Sequence, residues 1–63
     1  MYKIEILQYW SLSATYEDDD IEEVLRWYNS NWRYCYELDG CVFYLYKDGV
    51  ELSFDEEYEL GFH

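Results

Sequence analysis

At 63 residues the chain has room for one domain, and a domain of that size buries only about 60% of the surface its unfolded form exposes, so a deep substrate pocket is not expected. Fifteen Asp and Glu against four Lys and Arg leave a net charge of −11, which disfavours nucleic-acid binding, repels anionic membrane and steers the chain toward basic surfaces. Disordered acidic segments are poor in aromatics, whereas nine Tyr, three Trp and three Phe make this chain 24% aromatic, so it is expected to fold.

The first predicted element is a strand over about residues 2–10, because the even positions read Tyr2, Ile4, Ile6, Gln8 and Trp10 while most odd positions are polar. The even-numbered pattern runs on through Leu12, Ala14 and Tyr16 as a bent continuation, with a break near Ser11. The charges in Tyr2-Lys3-Ile4-Glu5 interrupt any apolar run, so neither a signal peptide nor a membrane span is drawn and a cytoplasmic location is expected.

A helix over about residues 20–30 follows. Asp20 is placed to cap its first amides with Glu23 three positions on, and Ile21, Val24, Leu25 and Tyr28 recur at the spacing of one helical face. Asn29-Ser30-Asn31 ends it.

Residues 32–38, 41–47 and 50–54 are β-rich runs joined by Asp39-Gly40 and Asp48-Gly49, and Asp-Gly favours the two-residue hairpin turn. With both turns in that register, one sheet face collects Tyr34, Tyr36, Leu38, Cys41, Phe43, Leu45, Val50, Leu52 and Phe54. The opposite face carries Arg33, Cys35, Val42, Tyr44, Tyr46, Glu51 and Ser53. The acidic segment 55–63 reads as a loosely packed tail, with a short helical turn after Ser53 or a fifth extended piece as the alternatives. The expected fold is a single α+β domain spanning 1–63, in the order β-α-β-β-β, with one helix on a mostly antiparallel sheet.

Two features are candidates for function. Glu17, Asp18, Asp19, Asp20, Glu22 and Glu23 form one acidic cluster, and Asp55, Glu56, Glu57 and Glu59 a second. On a helix, residues three or four apart stand about 5–6 Å from each other, which is on the scale of phosphate spacing in a nucleic-acid strand. Helix capping and solubility are the plainer explanation of the same carboxylates. The second feature is the patch of Cys35, Val42, Tyr44 and Tyr46, which no second helix covers, and Tyr is enriched where proteins meet.

Other chemistry finds little support. Asp18, Asp20 and Glu22 alternate like the start of a calcium loop, but the glycine and the distal glutamate of that loop are missing. Cys35, Cys41 and His63 are too few for a zinc site, and the register puts the two cysteines on opposite faces, which disfavours a disulfide. His63 has no nucleophile beside it in the pattern and no glycine-rich phosphate loop is present, so neither an enzyme nor a metal or cofactor is expected.

The run Glu17-Asp18-Asp19-Asp20 with Glu22-Glu23, the run Asp55-Glu56-Glu57 and the aromatic strands between them resemble the small acidic inhibitors encoded by bacteriophages and mobile elements, among them anti-CRISPR proteins and other DNA mimics. The resemblance lies in composition and size. It implies inhibition of a host defence nuclease or another nucleic-acid-binding protein, that is, a basic partner. The alternatives are a homodimer that pairs sheet faces or edges through Cys35, Val42, Tyr44 and Tyr46, and a subunit that folds fully only in a complex.

Overall fold

Residues 2–18 form a hairpin and not one long strand. The computed structural model describes Met1–His63, the side chain of Tyr36 excepted, and in it β1 (Tyr2–Gln8) turns back at Tyr9 and Trp10 into β2 (Ser11–Asp18). Both turn residues adopt the left-handed conformation, with φ of 51° and 68°, as a two-residue hairpin turn of this hand requires. Beyond the turn, Gln8 pairs with Ser11 and Leu7 with Leu12. That register would set odd against even throughout and turn Ala14 and Tyr16 away from the core. A bulge between Ile6 and Leu7 takes up one extra residue on β2, after which Ile6 pairs with Ala14 and Ile4 with Tyr16. By way of the bulge, Ala14 and Tyr16 join Ile4 and Ile6 on the core face, whereas Leu12, paired with Leu7, falls on the opposite face and Trp10 lies exposed in the turn.

Helix α1 (Ile21–Asn31) matches the expected one. Asp20 stands at its N-cap and accepts from the Glu22 amide at 2.9 Å, while Glu23 bonds Arg26 instead of closing a reciprocal box. Its apolar stripe buries Val24 and Tyr28 and half-buries Ile21 and Leu25 against the sheet, and Trp27 stacks on Tyr16 with ring centroids 5.3 Å apart.

The expected strand over 32–38 is absent. That segment winds through successive turns, with Cys35 N donating to Trp32 O at 2.9 Å and Leu38 N to Cys35 O at 3.1 Å, and a short 3-10 turn at Cys35–Glu37. Strand β3 (Cys41–Lys47) pairs along its full length with β1 on one edge. Its other edge takes the two-residue β4 (Val50–Glu51) and the Leu52 amide, which donates to Leu45 O at 2.8 Å. Both edges of β3 are occupied, so 32–38 cannot pair with it as the Asp39-Gly40 hairpin would require, and sheet context overrides its β-propensity. Asp39-Gly40 leads out of the 3-10 turn and does not join two strands, and Tyr34 and Leu38 are exposed. Cys35 lies fully buried in the core beside Cys41 and not on an outer face, so the two thiols share one side of the sheet. The register placed on Tyr36 concerns a side chain outside those described.

Asp48-Gly49 behaves as expected, with φ of 50° and 82° and Lys47 paired to Val50. Cys41, Phe43, Leu45 and Leu52 face the core, whereas Val50 and Phe54 are exposed. The tail is no loose end. Helix α2 (Phe54–Glu59) starts on a full capping box: Glu56 N donates to Ser53 Oγ at 3.3 Å and Ser53 N to Glu56 Oε1 at 3.2 Å. After it, Phe62 returns to the core at 3% exposure, against Tyr28 and Phe43.

The protein is thus an α+β fold, as expected in class, but with the order β-β-α-β-β-α and one open antiparallel sheet in the order β2-β1-β3-β4. The buried residues of α1 and the returning Phe62 belong to the same cluster as Ile4, Ile6 and Leu45, so both helical segments cover one face. Among the described residues no element covers the other face. No described helix is long and apolar enough to cross a membrane.

Candidate functional site

The sheet divides the residues singled out from sequence between two sides. On the helical side, Asp18 ends β2 and accepts from the Asp20 amide at 2.8 Å and the Tyr16 hydroxyl at 3.3 Å. Burial first, and then the Asp18 charge, raise the pKa of that tyrosine. Asp19 is 87% exposed with the Met1 amine 3.9 Å away, Glu22 is exposed, and Glu23 pairs with Arg26. In α2, Asp55 and Glu59 are exposed and Glu56 closes the capping box. Glu57 points inward with its side chain 12% exposed, and its Oε1 lies 2.9 Å from His63 Nε2. This takes Glu57 out of the acidic surface to which the sequence pattern assigned it. The two clusters share one end of the molecule: Glu56 and Glu59 line a cleft with Tyr2 and Lys47, and Tyr2 pairs across the sheet with Asp18.

Glu17, Tyr44 and Tyr46 lie on the uncovered side, and the strand register sets their neighbours. Leu12, Leu7 and Val42 form an apolar row across β2, β1 and β3. Next come Thr15, Glu5 and Tyr44. The last row is Glu17, Lys3, Tyr46 and Glu51, crossing all four strands. The face therefore grades from aliphatic at one end to acidic and aromatic at the other. Its central side chains are half-buried by one another. Lys3 reaches Glu5 at 3.5 Å. Burial, and then the hydrogen bond between its hydroxyl and Glu5, raise the pKa of Tyr46, so this phenol stays neutral.

An open cleft at the acidic end is lined by Lys3, Glu5, Glu17, Tyr46, Asp48 and the Met1 terminus. There the Met1 amine donates to Asp48 at 2.5 Å, which lowers the pKa of Asp48 and raises that of the amine. Sequence reasoning passed over Lys3, Glu5, Leu7 and Leu12. The first three occupy odd positions of a strand whose even positions are the core, which was a visible signal. Leu12 could be placed only by knowing the two-residue turn at Tyr9 and Trp10, which sets it opposite Leu7.

Among the described residues no group of three or more His, Cys, Asp or Glu stands together to hold a metal ion. His63 stacks on Phe43 and Phe54 with ring centroids 5.4 and 4.4 Å away, and its ring nitrogen bonds Glu57; no described thiol or hydroxyl bonds it. Compared with protein-family models, curated proteins and solved structures, the chain matches none.

Proposed function

We propose that this chain is a small acidic inhibitor, of the counter-defence kind that bacteriophages and mobile elements deploy in the host cytoplasm, and that it has no catalytic role of its own. It docks carboxylates onto the basic nucleic-acid site of a nuclease or other nucleic-acid-binding protein and excludes the natural ligand. One observation carries this reading: the fold leaves most of the net charge of −11 facing water on a shaped body. Of the four basic side chains, Lys3 is engaged by Glu5, Arg26 by Glu23, Lys47 lies over the Tyr2 ring and Arg33 over Tyr34. Glu17, Glu22, Asp55 and Glu59 are left exposed. Hydrogen bonds from backbone amides to Asp18, Asp20 and Glu56 fix the segments that carry them, so the charges keep their spacing.

Such a surface accelerates encounter with a cationic groove, and the gain weakens with ionic strength. The test is competition. The protein is mixed with a panel of candidate nucleases and labelled DNA or RNA at rising sodium chloride. Displacement of nucleic acid that fades with salt is expected. Binding indifferent to salt, with nucleic acid still bound, overturns the reading.

A further inference from the structure

We propose that the uncovered sheet face is the docking surface, and that it receives an arginine-bearing protein segment whose guanidinium groups lie on the Tyr44 and Tyr46 rings and pair with Glu5 and Glu17. The inference rests on the inhibitor reading and names the part of the molecule that makes the contact. Asp19, Asp20 and Glu22 around the start of α1 face water, and exposed ion pairs there contribute little to affinity. The open face offers what they lack: an aliphatic row at Leu7 and Val42 to exclude water, aromatic rings, and acids between and beside them.

Charge selects the occupant. A second copy stacked face to face would bring its own Glu5, Glu17 and Glu51 against those of the first, with Lys3 the one basic side chain among the described residues of each face and the nearby Met1 amine already paired with Asp48. Nucleic acid and anionic membrane are repelled by the same acids. A planar guanidinium can stack on a ring and still offer paired N–H donors to a carboxylate, which a lysine ammonium cannot do. Two rings of this chain already carry a cation over their faces: the Arg33 guanidinium carbon is 5.3 Å from the Tyr34 centroid and the Lys47 amine 5.8 Å from that of Tyr2.

The experiment titrates the isotope-labelled full chain with an octa-arginine peptide, and in parallel with octa-lysine, following backbone amide shifts. Shifts centred on β1 and β3, tighter binding of octa-arginine than of octa-lysine, and a loss of about tenfold in affinity for Tyr44→Ser are expected. Should Tyr44→Ser lose the dispersed spectrum of a folded chain, the double variant Glu5→Gln, Glu17→Gln is read in its place. Shifts confined to residues 18–23 and 54–59, with the face variants binding like wild type, overturn this inference and leave the inhibitor reading standing. Octa-arginine binding on the face, together with failure to displace nucleic acid from any nuclease, gives the reverse result. Sedimentation as a dimer that Tyr44→Ser dissociates assigns the face to a second copy and also overturns the inference.

Discussion

Cys35 shows how much a single side chain's placement changes its chemistry. Burial, and then its hydrogen bond with the neighbouring Cys41, push the Cys35 thiol from an ordinary value of 9.0 to about 12, so little reactive thiolate forms near neutrality. Both cysteines are free, at 0% and 5% exposure. At a pH of about 8 the folded chain should therefore react with a disulfide reagent far more slowly than the chain in concentrated guanidinium, where thiols regain their ordinary acidity. Equal rates in the two conditions would mean that the 3-10 turn at Cys35–Glu37 opens readily. The linkage has a definite sign. The folded pKa lies above the unfolded one, so this stabilisation is complete below pH 9.0 and is lost as pH rises toward about 12. A Cys35→Ser variant compared across that alkaline window isolates the thiol from the ionising tyrosines.

At the scale of elements, the turns decide the topology, and two glycines separate what they demand. Gly40 has φ of 75°, accepts from the Tyr9 amide at 2.8 Å, and leaves room for the Tyr9 ring, whose Cε1 would lie 2.6 Å from an added Cβ. Gly49 has φ of 82° with nothing within 4 Å. Gly49→Ala should therefore cost only the left-handed strain, about 1 kcal/mol. Gly40→Ala adds to that strain the displacement of the Tyr9 ring, a flexible and 72% exposed side chain, at a further cost of about 0.5–1 kcal/mol, which Tyr9→Ala relieves. Denaturant melts of the two variants and of the Tyr9→Ala pairings check this, and equal losses at both glycines would remove Tyr9 from its place over Gly40. The same two turns mark how far the sequence could be read. Asp48-Gly49 was legible because local chemistry alone sets a two-residue turn. Tyr9-Trp10 was not, since aromatic residues seldom occupy left-handed positions and nothing local announces that β1 will pair with both β2 and β3. The α1 stripe was legible from its spacing. The start of α2 was written in Ser53 and Glu56, a pair that helical capping explains and that acidity alone obscures. Of the candidate site, Tyr44 and Tyr46 were placed on an uncovered face, but their acidic neighbours depend on long-range pairing, and Cys35 was drawn away by a core it helps to fill.

Over the whole molecule, the charge that is proposed to attract a partner also works against the fold. Fifteen carboxylates on a 63-residue body repel one another, and the acidic ends of α1 and α2 sit beside the same Tyr2–Lys47 strand end. The Debye length falls from about 30 Å at 0.01 M salt to about 8 Å at 0.15 M, so added salt screens repulsion between surface groups on the scale of this protein. Salt should accordingly raise the Tm of the isolated chain while it weakens binding to a cationic partner, two dependences of opposite sign with one electrostatic origin. Sodium chloride is the salt to use, because sulfate strengthens apolar burial by exclusion and would raise Tm whatever the charge. Scanning calorimetry from low to physiological ionic strength, beside octa-arginine titrations in the same buffers, measures both. A Tm that falls with sodium chloride would show that attractive pairs such as Lys3 with Glu5 and Arg26 with Glu23 outweigh the repulsion, and that the surplus acids stand too far apart to act as one field.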